Sequence, residues 1–278
     1  MSEPITTGLV AYGMSGRVFH APFLHTIPGF RLKTVVERHR NESQARYPDV
    51  AVVRSLNDLL ADAEVELVVV TTPNHLHYDD ARRALEAGKH VVVEKPFVEN
   101  PTQAEALIAL ARRQERLLMV YQNRRWDGDF LTVQKVVEQE MLGDLLRYEA
   151  HFDRYAKEIR TGGRVWKEET AGATGALYDL GTHLIDQALV LFGVPRAVEA
   201  DLRAERPGSR IHDAFDLVLD YGHGRPRVVL RASVLVREPA PRYTLHGTAG
   251  SFLKWGLDPQ EARLKAGRWP DDPTLGVE

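Results

Sequence analysis

A carboxylate and an amine stand side by side at Glu94-Lys95, delivered by the apolar run Val91-Val92-Val93 and followed at once by Pro96. An unbroken β-branched run predicts a strand buried on both faces of a parallel sheet. Pro96 stops such a strand, so Lys95 falls at its carboxyl end, where open α/β sheets bind their ligands. A second constellation lies in Gly175-Ala176-Leu177-Tyr178-Asp179-Leu180-Gly181-Thr182-His183. A helix running from there to Phe192 puts Asp179 and His183 four apart on one face, which Asp186, three beyond His183, shares. A carboxylate beside an imidazole is an acid/base pair; the spacing fits an ordinary surface pair on a capped helix as well.

A third element comes early. The strand Thr6 to Ala11 leads into Ala11-Tyr12-Gly13-Met14-Ser15-Gly16 and a helix from Arg17. This approximates G-x-G-x-x-G with alanine first. The pattern supplies a tight turn, a backbone open to a pyrophosphate, and a helix start whose N–H groups bind it. Gly13 and Gly16 keep the second and third properties. Ala11 fits the first if its φ is negative, and a purely structural turn reads equally well. The next strand, Leu32 to Val36, ends in Glu37, about 20 residues after the glycines, where an acid binds adenosine ribose hydroxyls. Glu37 argues for NAD. Arg38 and Arg40 beside it argue for NADP, because arginines there hold a 2′-phosphate. A solvated charged turn is the third reading.

The elements that must position these groups alternate. Strands are predicted at 50–53, 66–71 and 117–121. Helices are predicted at 55–61 with Ser55 as N-cap, from Thr71-Thr72-Pro73-Asn74-His75-Leu76-His77 through Ala87, and at 101–115. Six strands with intervening helices make a doubly wound sheet, and right-handed crossovers place Gly13, Thr72, Lys95 and Gln122 along one edge. His75 and His77 have no third ligand in their loop, so hydrogen bonding at a helix start is expected and no metal site. Composition shifts after Tyr121. Gln122-Asn123-Arg124-Arg125-Trp126-Asp127 reads either as a charged hinge or as a wall of a binding cleft. A helix at 129–140 ends before Gly143, a strand follows at 145–155, and the polar stretch 162–174 around Trp166 reads as an ordered loop over a pocket. Strand-like segments at 197–204, 214–221, 227–236, 242–247 and 250–255 follow one another closely, which implies an antiparallel sheet. The expected architecture is α/β: an N-terminal doubly wound parallel sheet at 1–121 and a C-terminal α/β domain with a largely antiparallel open sheet at 122–278, its broad face suited to a homodimer or homotetramer.

Composition narrows the function. A net charge of −3 speaks against a nucleic-acid surface, and the absence of cysteine removes thiol chemistry, disulfides and cysteine-zinc sites. Neither a signal peptide nor a membrane span is legible, so a cytoplasmic protein is the expectation.

The motifs A-Y-G-M-S-G, V-V-V-E-K-P and G-A-L-Y-D-L-G-T-H occur together and in order. With them the chain resembles, over nearly all its length, the Gfo/Idh/MocA family of NAD(P)-dependent oxidoreductases. The stretches V-Y-Q-N-R-R-W-D-G-D-F-L-T, T-G-A-L-Y-D-L-G-T-H-L-I-D-Q and P-R-Y-T-L-H-G-T-A-G-S-F are similar to the branch containing NADP-dependent scyllo-inositol dehydrogenases. The resemblance implies a Rossmann domain, NADP with NAD as the alternative, and a sugar or cyclitol substrate. It implies that Gly13, Ser15 and Gly16 hold the pyrophosphate and that Glu37 and Arg38 contact the adenosine ribose. Thr72, Pro73, Asn74 and His77 line the cofactor. Glu94 and Lys95 match the family's E-K-P, whose lysine lies near nicotinamide and substrate. Asp179 and His183 match the substrate-binding aspartate and the catalytic histidine, and Gln122, Asn123, Tyr155 and Trp166 line the cleft. Two alternatives accompany this reading: a dinucleotide-binding regulator without turnover, and NAD-dependent non-redox glycoside cleavage. Family members usually continue beyond the position of Glu278 with elements that pack on the nucleotide domain, so those surfaces are expected to be uncovered.

Overall fold

The computed structural model describes residues 3–159, 165–168 and 172–277, without the side chains of Val165 and Trp166. It divides into two units, Met1–Tyr121 with Pro259–Glu278, and Gln122–Asp258.

The first unit carries strands β1 (Ile5–Val10), β2 (Phe30–Val36), β3 (Ala51–Val53), β4 (Leu67–Val70), β5 (His90–Glu94) and β6 (Leu118–Tyr121). All pair in parallel, in the order β3-β2-β1-β4-β5-β6. Helices α1 (Ala21–Thr26), α2 (Leu56–Leu60), α3 (His77–Glu86) and α4 (Pro101–Arg113) make the crossovers. Ser55 and Asp58 form a reciprocal capping box on α2, and Asn100 caps α4 ahead of Pro101. The apolar runs are continuous because both faces are covered. Val10, Val68, Val70, Val91 and Val93 meet Ala81, Leu85 and Leu107 on one side; Leu9, Val35 and Val69 meet Ala21, Leu24 and Tyr47 on the other. Each fully buried valine or leucine here contributes about 1.5–3 kcal/mol. Register aligns the strand ends: Val10 faces Val36 and Val70, Val70 faces Val93, and Glu94 faces Tyr121. Ala11, Glu37, Thr71 and Lys95 therefore leave the sheet along one carboxyl edge. The strand order reverses between β1 and β4, the switch point where such sheets bind dinucleotides.

The second unit carries α5 (Gly128–Glu138), β7 (Leu145–His151), α6 (Thr182–Phe192), β8 (Ala197–Arg203), β9 (Ala214–Asp220), β10 (Arg227–Ser233), β11 (Tyr243–Gly247) and β12 (Ser251–Lys254). Its sheet runs β12-β11-β7-β10-β9-β8. Every pair is antiparallel except β7 and β10, which are parallel. The sheet is thus mixed at its centre. The excursion through α6 and the β8–β9 hairpin separates β7 from β10 and frees that pair from hairpin geometry. Phe130, Val133, Leu184 and Ala188 pack on Tyr148, Ala150, Leu217, Val228 and Leu230. The strand expected over 145–155 ends at His151, and Tyr155 makes only an isolated bridge to Leu235.

The chain then returns to the first unit. After α7 (Gln260–Lys265), Leu264 and Leu275 bury against Val18 with Met14, Phe19 and Phe23 around them. Trp269 packs 6.0 Å from the Tyr47 ring and 5.5 Å from His25, with the Arg46 guanidinium 4.0 Å over it. The expected second domain, 122–278, therefore gives its last segment to the nucleotide unit. That segment packs on the α1 side, where Leu264, Trp269 and Leu275 find their apolar partners.

Candidate active site

The glycine turn sits at the end of β1. Ala11 adopts φ 78°, against the negative φ that would suit alanine, so the first fingerprint position keeps its left-handed backbone without its glycine. The Thr71 hydroxyl lies 3.0 Å from the Val10 carbonyl and 2.9 Å from the Ala11 carbonyl and donates between them. A Cβ on Gly16 would stand 2.5 Å from the Ala11 oxygen, so no side chain fits there, whereas one on Gly13 would meet nothing within 4 Å. The helical run begins with Arg17 N donating to Gly13 O at 2.9 Å, and it makes a π-helical turn over Gly16–His20 before α1. A pinned turn, an open flank at Gly13 and first-turn N–H groups fit a pyrophosphate.

Glu94 lies beneath this turn. Its Oε1 accepts from the Ser15 hydroxyl and stands 2.9 Å from His20 Nε2, which carries the proton; its Oε2 accepts from Lys95 N at 3.1 Å. Burial pushes this carboxyl up, but the His20 and Ser15 hydrogen bonds and the Lys95 charge overcome it, and the pKa falls below the ordinary value. The His20 ring packs against Tyr121, tilted by 45° with centroids 4.1 Å apart. Ser15 and Glu94, both expected at the cofactor, thus engage each other and fix the turn against Lys95. The Lys95–Pro96 peptide is cis. His77 is buried with Nδ1 2.8 Å from Pro96 O and Nε2 2.9 Å from Thr72 O. It lies between the loops after β4 and β5, its two ring nitrogens facing two carbonyl oxygens, to one of which a neutral imidazole donates. Thr72 donates to Asp80 at 2.8 Å, and Pro73 leads the short 3₁₀ turn Asn74–Leu76.

Glu37 is engaged by its own loop. It is 7% exposed, and its carboxylate accepts from Glu42 N at 2.9 Å, Ser43 N at 2.9 Å and Ser43 Oγ at 2.5 Å. An acid bound this way caps its own loop. Arg38, His39 and Arg40 remain exposed. Arg40 pairs with Glu42 at 2.6 Å, and among the described residues Arg38 forms no ion pair.

In the second unit Asp179 lies in a π-helical turn, Leu177–Gly181, that opens α6, so the expected regular helix from Gly175 starts wider. Such turns concentrate at functional sites. Ala176 N donates to His212 O at 2.8 Å, and Gly175, at φ +90°, leaves no room for a Cβ beside that oxygen. Asp179 accepts from Lys167 Nζ at 3.0 Å. The Lys167 segment is anchored by Glu168, 2.7 Å from the buried Arg206, which also binds Asp213 at 2.9 Å. His183 is buried in the first turn of α6, its ring 6.3 Å from Phe152. Asp186 does not serve His183; it is forked by Arg125 at 2.7 and 2.6 Å. Gln122 Oε1 is buried and has no hydrogen-bond partner among the described residues, and Asn123 begins the 3₁₀ turn Asn123–Trp126. Tyr155 is exposed and accepts from Arg237 at 2.8 Å. The Trp166 side chain lies outside the described residues. Sequence reasoning missed Thr71, His20 and Lys167; only Thr71, next to Thr72 at a strand end, carried a usable signal.

An all-parallel sheet in this order, with a fingerprint turn at its switch point and a lysine on its carboxyl edge, defines a Rossmann-type NAD(P)-dependent oxidoreductase. The chain belongs to the Gfo/Idh/MocA family: the profile of the oxidoreductase family with an NAD-binding Rossmann fold matches residues 5–122, and that of the GFO/IDH/MocA C-terminal domain matches residues 130–253. It is 41% identical to scyllo-inositol 2-dehydrogenase (NADP(+)) IolW of Bacillus subtilis, covering 99% of this chain and 76% of that protein. It is 30% identical to levoglucosan dehydrogenase of Pseudarthrobacter phenanthrenivorans over 74% of this chain and 56% of that one. The crystal structure of an oxidoreductase from Bacillus cereus superposes with a TM-score of 0.88 at 39% identity, covering 99% of this chain and 77% of that one. Among the described residues no helix is long and apolar enough to cross a membrane, and no group of three or more His, Cys, Asp or Glu could hold a metal.

Proposed function

We propose that the protein is an NADP-preferring dehydrogenase of a sugar or cyclitol ring hydroxyl. The observation that carries the cofactor choice is the engagement of Glu37 by Glu42 and Ser43, which leaves Arg38 as the charged group at the ribose position. Similarity to scyllo-inositol and levoglucosan dehydrogenases supports the substrate class. Bound nicotinamide supplies a hydride acceptor for the carbinol carbon. The chain supplies the rest. His183 takes the hydroxyl proton, a task suited to an imidazole near neutral pH. Lys95 holds the reacting oxygen and stabilises its developing negative charge. Asp179 accepts from a neighbouring hydroxyl and orients the ring, a role that Gln122 Oε1 supports as an acceptor. The test is titration with NADPH and NADH, read by energy transfer from tryptophan, followed by a screen of inositols and sugars with wild type and His183→Asn. Tight NADPH binding, turnover by wild type, and a loss of about 100- to 10,000-fold in the variant with binding retained are expected. Tight NADH with weak NADPH binding overturns the cofactor choice; binding without turnover on any polyol overturns the dehydrogenase.

A further inference from the structure

The loop after β2 is closed from two sides. On one, the Glu37 carboxylate gathers the N–H groups of Glu42 and Ser43 and the Ser43 hydroxyl. On the other, Arg54, one residue past β3, donates Nη1 to Glu37 O and to Arg40 O at 2.7 Å each, and Nη2 to Asn41 Oδ1 at 2.8 Å. Glu37 N also donates to Val53 O at 3.0 Å. One guanidinium thus holds both ends of the exposed Arg38-His39-Arg40 segment.

We propose that Arg54 is the positioning residue of a preorganised 2′-phosphate loop, so that selectivity for NADPH over NADH depends on it. This rests on the NADP reading above. Two backbone carbonyls, the groups least compatible with a phosphate dianion, are taken up by Arg54. Arg38 then meets the phosphate from a loop whose ordering is already complete, which lowers the cost of binding. The same closure disfavours NADH. To chelate a free ribose diol, Glu37 must give up its bonds to Glu42 and Ser43. The fork geometry is essential: a lysine also has three N–H donors, but they sit on one tetrahedral nitrogen and do not reproduce the planar span over two carbonyls and an amide.

Wild type, Arg54→Met and Arg54→Lys are titrated with NADPH and with NADH at fixed salt, with thermal unfolding measured alongside. The expected result is a Kd for NADPH raised about 10- to 100-fold in both variants, with NADH affinity unchanged or improved. Wild type without NADPH preference sinks the NADP reading itself and is recognised before any variant is read. Given a selective wild type, unchanged selectivity in Arg54→Met overturns the positioning role. Full selectivity in Arg54→Lys reduces the effect to charge and also overturns it. Equal loss of both cofactors means general collapse of the loop and overturns it too. If Arg54→Met does not fold, Asn41→Ala and Ser43→Ala loosen the two closures singly. A smaller loss confined to NADPH in each is expected, and no loss in either refutes the proposal.

Discussion

Glu94 in the nucleotide unit and Asp127 in the second unit are both 8% exposed, yet their carboxyls titrate in opposite directions. Glu94 is lowered. Asp127 is pushed up to about 6 by burial, with Arg124 opposing and Asp129 and Asp258 adding to the rise. The difference is in the donors. Glu94 receives Ser15, His20 and the Lys95 N–H, whereas Asp127 has Arg124 at 3.0 Å and faces two further carboxylates. Burial depth therefore does not set the state of an acid; what surrounds it does. The first is an ionised anchor under the glycine turn, the second a carboxyl pushed up to about 6 in the segment that opens the second unit.

The largest expected effect breaks the first half of this comparison. Glu94→Gln leaves His20 and Ser15 facing an amide and is expected to lower stability by about 3 kcal/mol at pH 7, read by urea unfolding. The sign follows from the lowered pKa. Stabilisation by Glu94 is full above the unfolded carboxyl range and is lost as pH falls through the folded value, so the gap between wild type and variant closes in acid. A gap that stays constant from pH 7 down to pH 3 contradicts the anchor.

Asp127→Asn probes the other half with a smaller effect. The folded pKa lies above the unfolded one, so wild type loses stability as pH rises from about 4 to about 6 and is level beyond. The variant lacks that slope. Its stability relative to wild type is expected to improve by roughly 1–3 kcal/mol across that window, the scale of two pKa units with some relief by solvent. A relative stability independent of pH there places Asp127 in the ordinary carboxylate range and erases the contrast.

These two acids also show what a sequence carries. The β-branched runs, the glycine turn and E-K-P were legible because each is local: strand burial, turn geometry and strand end are written in adjacent residues. Glu94 was legible as a strand-end acid, but its work was not, since His20 lies 74 positions away and meets it only once β1 and β5 share a sheet edge. The loop contacts of Glu37 were illegible for a related reason. Its partner Ser43 is six residues on, and nothing in the spacing says that the loop between them closes. The return of the tail through Trp269 is likewise a long-range event. In the second unit the D-L-G-T-H segment was found, while its π-helical opening and the Lys167 partner of Asp179 have no local signature.

Ala11 gives the smallest effect and the sharpest check on the nucleotide unit. Its backbone is left-handed, at φ 78°, although alanine disfavours that region by about 1–2 kcal/mol. The Thr71 hydroxyl on its carbonyl and the close pass of Gly16 hold it there. Ala11→Gly removes the strain but adds unfolded-state freedom worth roughly 0.5–1 kcal/mol, so a net gain of about 0.5–1 kcal/mol is expected. A rise of a few degrees in Tm with unchanged NADPH affinity is the corresponding observation. A drop in Tm means that residue 11 has the negative φ its side chain prefers. The turn would then be held by local alanine geometry, and the Thr71 contact would follow from the turn instead of imposing it.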